Sequence, residues 1–289
     1  MPITPQRALL ARRLRELRAA AFPSGSALAR RLQAEHPDGS WHQTRVSKLE
    51  RGLQRPTERD IAQWVQASGA SPQELDELLE LLAAARVEYA TFGQLYRRAG
   101  SPVADQANTT AADAETTRIA HYQPAMVPGL VQTAAYAREL LSLPCGPSSA
   151  GASADDIEAI VGERIKRQDV LYQPGKKIQL VMGEAALRTR FGAVQTLLGQ
   201  LDRLIAVIGL SGVELGVVPF TTPLPVFPLT GFVLYDDAVL IESITGQQRL
   251  EAADEVALYK RFFDQLREAA ATGPYVVELI QRVAAELRG

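Results

Sequence analysis

The sequence predicts a two-part chain: an all-α N-terminal domain of five short helices, followed by a mixed α+β C-terminal domain. Three observations carry this. Helical spacing with recognisable start signals fills the first 85 or so residues. Downstream, short apolar or alternating runs that read as strands fall between further helical stretches. Charge divides the same way, since residues 1–60 hold twelve Lys/Arg against six Asp/Glu for a net of +6, which leaves −8 for the remainder of a chain whose total is −2. A basic head on an acidic body suits a phosphate-rich partner.

The first helix is marked by Leu10, Leu14, Leu17 and Ala21 at helical spacing, and Phe22-Pro23-Ser24-Gly25 stops it. Ser24 or Ser26 caps a second, SALARRLQ, that turns Leu28 and Leu32 inward and Arg30 and Arg31 outward. A polar stretch, AEHPDGS, leads to the third, WHQTRVSKLERG from Trp41 to Gly52. At 100° per residue, Gln43, Thr44, Ser47, Lys48 and Arg51 share an arc of roughly 140° that contains no acid. Val46 and Leu49 lie opposite. Gln reads adenine bidentately, and Lys or Arg reads guanine or clamps phosphate, so this arc suits the major groove of DNA. Trp41 reads as a helix-end anchor, and His42 projects to the apolar side near Val46 and Leu49, in a packing role. Thr57 with Asp60 starts a fourth helix bearing Ile61, Trp64 and Val65. Ser71-Pro72-Gln73-Glu74 starts a fifth, whose Leu75, Leu78, Leu79 and Leu82 stay on one side.

From Gly100 to Asp113 periodicity fades, so the expected domains are residues 1–100, a linker over 101–113, and residues 114–289. Within the last, helices are expected at 133–143, 153–172, 194–208, 252–270 and 274–287. Strands are expected at 177–182, 213–220, 231–235 and 238–244, with Asp236-Asp237 as a hairpin tip and Asp155-Asp156 as a helix start. Val127-Pro128-Gly129-Leu130 reads as a type II turn, with a pocket rim formed with Tyr122 and Gln132 as its functional alternative. Arg188 and Arg190 are candidates to clamp an acidic ligand or partner.

The end of the third helix, VSKLERG, with Pro56 beyond it, resembles the signature of phage-repressor (XRE) helix-turn-helix regulators. The resemblance implies base contacts by Gln43, Thr44 and Lys48, with Arg45, Ser47 and Arg51 at the margins or on phosphate, and Arg55 and Arg30 as further phosphate ligands. It also implies an ion pair between Glu50 and Arg18, against the plainer alternative of an exposed pair worth under about 1 kcal/mol. The chain departs from the pattern in its turn before the third helix, lengthened over Gln33–Ser40, a feature that bears on the docking angle of the reading helix.

From about Ala112 onward, Tyr122-Gln123-Pro124, Val127 through Thr133, Tyr136-Ala137-Arg138, Glu163-Arg164, Arg167-Gln168, Glu184 through Arg188 and Val217 through Phe220 are similar to actinobacterial antitoxin-like (WhiJ-type) regulators. That implies a regulator, often encoded beside a small partner protein, with no assigned enzymatic chemistry. The residues agree: three scattered histidines make no Zn site and no nucleotide-binding or serine-hydrolase motif occurs, so neither metal, cofactor nor catalysis is expected. A single cysteine, Cys145, reads as a small loop side chain in a reducing compartment. With no apolar run of about 18 residues and no secretory h-region, the expectation is a cytoplasmic protein without a membrane span. The expected partners are a double-stranded DNA operator, a second copy of the chain in a homodimer, and a small protein encoded nearby. The expected function is a sequence-specific transcriptional regulator whose C-terminal domain senses a ligand or partner. Its alternative is an antitoxin-like interaction module for which DNA binding is secondary.

Overall fold

A computed structural model of the protein describes residues 5–144, 151–227 and 229–289. Cys145 lies outside them. The chain divides into two units between Glu88 and Tyr89.

The first unit holds five helices: α1 (Pro5–Ala21), α2 (Gly25–Glu35), α3 (Gln43–Glu50), α4 (Glu58–Ser68) and α5 (Pro72–Arg86). Their starts follow the cap chemistry in the sequence. The Ser24 side chain accepts the Ala27 N–H, and Thr57 and Asp60 form a complete capping box at α4. At α5, Glu74 and Ser71 bond reciprocally in the same way. One core joins the helices, with Leu10, Leu14, Leu28, Leu32, Val46, Leu49, Ile61, Leu78 and Leu82 all buried. Trp41 and Trp64 meet edge to face at 6.1 Å in its centre.

The second unit is built on one mixed sheet of eight strands in the order β1-β7-β6-β5-β2-β3-β4-β8. These are β1 (Val87–Thr91), β2 (Arg118–Gln123), β3 (Lys177–Gly183), β4 (Val213–Val218), β5 (Phe232–Leu234), β6 (Val239–Glu242), β7 (Gly246–Leu250) and β8 (Ala271–Thr272). The centre, β2-β3-β4, is parallel, and β5, β6, β7 and β8 are antiparallel to their neighbours toward β2 and β4. Around it run α6 (Phe92–Ala99), α7 (Pro102–Glu115), α8 (Ala134–Leu141), α9 (Ala154–Arg167), α10 (Ala185–Arg188), α11 (Val194–Val207), α12 (Ala253–Ala269) and α13 (Pro274–Arg288).

Strand alternation splits the apolar residues between two cores. Ile119, Ile178, Leu180, Met182 and Val217 face α11 and α13. Ala120, Tyr122, Val181, Phe232 and Leu234 face Phe263 and Leu266 of α12. The two acidic doublets take the expected places, since Asp156 completes a capping box with Ser153 and Asp236 sits in the β5–β6 turn, where it accepts the Thr117 and Arg118 N–H groups.

The expected linker is corrected. Residues 102–115 are α7, with Ser101 as N-cap and Pro102 in the first turn, and the division of the chain falls before it rather than within it. The helix escapes periodicity reading because its inward residues are small or polar: it packs on α9, and the side chain it buries most completely is Asp113. The expected type II turn is also corrected. Pro128 has φ −55° and ψ 137°, as such a turn requires, but Gly129 opens a 3-10 turn over Gly129–Val131 and has no positive φ. Among the described residues no helix is long and apolar enough to cross a membrane.

Candidate nucleic-acid interface

Helix α3 is held from three sides. Val46 and Leu49 are fully buried beneath it. At its end, the Glu50 carboxylate takes Nε of Arg18 at 2.8 Å and a second guanidinium nitrogen at 3.2 Å, while Arg15 donates to the Glu50 carbonyl oxygen at 2.8 Å. This is a bidentate tie to α1, 16% exposed at the arginine and 10% at the glutamate, rather than an exposed surface pair. The geometry also keeps the Arg18 guanidinium protonated more firmly than usual, first through its hydrogen bonds to Glu50. Helix α3 stops because Gly52 adopts φ 66°, a left-handed conformation that glycine takes without steric cost. Its first turn is capped by His42, whose Nδ1 accepts the Arg45 backbone N–H at 3.2 Å.

His42 therefore does not pack inward. As N-cap it has φ −143° and lies off the helical wheel, so its ring is exposed. Trp41 is the inward residue, 3% exposed, with its indole N–H on Gln63 Oε1 at 2.8 Å. The lengthened turn before α3 is strapped in place. It coils as a 3-10 turn over Pro37–Gly39, and the Gln33 amide donates to the Pro37 carbonyl at 2.8 Å and accepts the Trp41 N–H at 2.7 Å.

The arc opposite Val46 and Leu49 stays open. Gln43, Thr44, Lys48 and Arg51 are exposed, Ser47 and Arg55 are half-buried, and Arg30 is exposed on α2. Arg45 is the correction. At 100° per residue it lies beyond Lys48, next to Leu49, and its side chain falls toward α4. Its guanidinium spans both Asp60 oxygens, at 2.9 and 3.1 Å, donates to the Gly39 carbonyl, and lies 4.5 Å from the Trp41 ring centroid. It is a strut rather than part of the open face.

The three residues expected to bind a ligand or partner in the second unit are not brought together. Tyr122 is buried on the α12 side of the sheet against Phe232. Arg188 is engaged by Glu184, at 2.8 Å, and by Glu286. Gln132 alone lines a cavity of about 850 Å³ on the other side of the sheet. Arg164, Arg167, His121, Gln123 and Gln106 line it too. These five are not among the site candidates that the sequence marks. The signal lay in the pattern: His121 and Gln123 share one face of β2, and the apolar stripe of α9 (Ile157, Ile160, Val161) runs on into Arg164 and Arg167.

Comparison with known proteins agrees with this division. Residues 9–78 match a helix-turn-helix domain, so the first unit is a helix-turn-helix module. Residues 106–282 match a domain of unknown function, DUF5753, over more than half of the chain, and the chain belongs to that family. The archaeal chromatin protein TrmBL2, described as showing a novel mode of DNA binding, aligns at 18% identity over 75% of this chain and 69% of its own. The TM-score of 0.32 is too low to imply a shared fold. Among curated proteins no match was found.

Proposed function

We propose that the protein is a sequence-specific DNA-binding transcriptional regulator of the XRE type, with α3 as the reading helix. The observation that carries the reading is the open, acid-free arc of Gln43, Thr44, Ser47, Lys48 and Arg51, on a helix whose opposite side is locked into the core. In this reading Gln43, Thr44 and Lys48 reach base edges, while Ser47, Arg51, Arg55 and Arg30 lie against phosphate. The second unit senses a ligand or partner and has no catalytic role. A homodimer would place two such helices about one DNA turn apart on a two-fold site. A strictly monomeric mass by light scattering, with and without DNA, would remove the dimer.

The test begins with genomic fragments selected by the purified protein, followed by fluorescence anisotropy on the selected site. Gln43→Ala and Lys48→Ala should each cost about 1–3 kcal/mol there and relax specificity, whereas Arg51→Ala or Arg30→Ala should weaken all sequences alike and lower the salt slope by about one. Unchanged affinity in both Gln43→Ala and Lys48→Ala would sink the face assignment.

A second reading, an antitoxin-like module for a small protein partner, is favoured by exposed Phe220, Phe227, Leu229 and Ile244 in the second unit, where Leu229 is 82% exposed. Co-purification with the neighbouring small gene product, lost in Phe227→Ser/Leu229→Ser, would support it.

A further inference from the structure

The cavity between α7, α9 and the sheet is unusual in its polar inventory. Its volume of about 850 Å³ falls in the range of small-molecule sites. Apolar walls come from Phe92, Met126, Leu140, Ile160, Leu240 and Ile241. Against them stands Arg164, whose guanidinium donates to Gln132 Oε1 at 2.8 Å. No carboxylate lies within ion-pairing distance of it among the described residues, and its Nε has no acceptor. Its neighbour Arg167 is ion-paired with Asp113, whereas Arg164 has no ion pair among the described residues and feels the carboxylate of Glu242, which also lines the cavity, only at longer range.

Two further groups on the wall lack partners, and both are donors. The Gln106 side-chain nitrogen has no acceptor. The amide nitrogen of Gln123 lies 3.1 Å from His121 Nε2, so that ring nitrogen accepts and the proton of the neutral imidazole sits on Nδ1, which is also unpartnered. Burial keeps His121 neutral by depressing its pKa to about 3. The same desolvation lowers Arg164 to about 10, which leaves it charged at neutral pH. Asp105, which lines the cavity from α7, is shifted up by burial and by Glu242, the second carboxylate of the lining, so its negative charge is disfavoured. Three unsatisfied donors, one of them cationic, set in apolar walls call for an occupant that brings acceptor oxygens and an apolar body.

We propose that this cavity binds a small organic acid with an apolar body, its carboxylate held at Arg164 with Gln106 and His121 as flanking donors. The proposal rests on the sensing half of the functional reading, but binding to the cavity is measured without DNA. Decanoate serves as the probe and decanol as its uncharged counterpart, with the full-length protein in isothermal titration calorimetry and displacement of anilinonaphthalene sulfonate as a second readout. Decanoate should bind one per chain and at least tenfold more tightly than decanol. Arg164→Gln should abolish that preference, Arg164→Lys should retain it, and Leu240→Trp should weaken both ligands by filling the cavity. Arg188→Gln, whose ion pairs lie outside the cavity, should change neither.

Equal affinity for decanoate and decanol, a preference that survives Arg164→Gln in a folded protein, or no binding of either ligand would overturn the proposal. Should Arg164→Gln fail to fold, Gln106→Leu and Arg164→Lys decide it through the same ratio. Repeating the operator titration with decanoate separates the two claims. Ligand binding without an effect on DNA affinity leaves the site standing and removes its regulatory use, whereas DNA binding without ligand binding removes the site and leaves the DNA-binding reading standing.

Discussion

Replacing Arg45 with alanine distinguishes a strut from a DNA contact. The side chain is 19% exposed and its partner Asp60 8%, so the pair is largely withdrawn from water. Truncation removes two carboxylate hydrogen bonds, the bond to the Gly39 carbonyl, and the cation held 4.5 Å from the Trp41 ring. Asp60 is left with the Thr57 N–H at 2.9 Å as its remaining partner. Breaking a fully buried pair costs about 3–5 kcal/mol, and residual exposure of the arginine reduces this to about 2–4 kcal/mol. Trp41 and Trp64 are the chain's two tryptophans and both lie in the first unit, so tryptophan fluorescence in urea reports the unfolding of that unit alone. Gln43→Ala, on the exposed face, should change the same transition by no more than about 0.5 kcal/mol. A loss below about 0.5 kcal/mol in Arg45→Ala, together with an operator defect as large as that of Lys48→Ala, would refute the assignment.

The remaining predictions concern buried charge. Glu50→Gln should destabilise the first unit by about 2–4 kcal/mol in the same fluorescence assay, because Arg18 keeps its charge and loses its carboxylate. Asp113→Ala should destabilise the second unit by about 3–5 kcal/mol, since Asp113 is fully buried and Arg167 is left unpaired; calorimetry should show it in the transition that tryptophan fluorescence does not see. His121, with a pKa lowered from 6.5 to about 3, binds no proton in the folded state over a range where the unfolded chain does. The second unit should therefore lose stability as pH falls from about 6.5 toward 3, by up to about 1.4 kcal/mol per pH unit, and His121→Gln should flatten that slope.

The sequence told most about the structure where one side chain dictates local geometry. The capping residues Ser24, Thr57, Ser71 and Ser153 mark the starts of their helices because a short oxygen-bearing side chain has few other ways to satisfy the first turn. Reading α3 as two-faced located Val46 and Leu49 in the core and Lys48 outside it. The same reasoning failed at His42, where the helical wheel does not apply to a cap, and at Arg45, whose length lets it leave its own helix for Asp60. Helix α7 was hidden because alanine, threonine and asparagine give no amphipathic contrast. The cavity was illegible for a different reason. Gln106, His121 and Arg164 come from three elements that only the tertiary fold brings together, and no spacing in the sequence links them as a site.

Taking Arg45 off the open face changes what the helix offers to DNA. Within Gln43–Glu50, Lys48 becomes the cation that α3 itself presents, and under the proposed reading discrimination falls to one amide, one hydroxyl and one ammonium at Gln43, Thr44 and Lys48. The other basic candidates lie around that trio, Arg51 at the helix end, Arg55 beyond it and Arg30 on α2, where their charge can orient the helix without reading a base. The residues that hold α3 in place, Arg18, Glu50, Arg45 and Asp60, form a separate set, already paired with one another. Sequence preference can therefore drift at Gln43, Thr44 and Lys48 with little penalty in folding. The ion pairs behind the helix carry the stability cost, so substitutions there should lower affinity for all DNA sequences together.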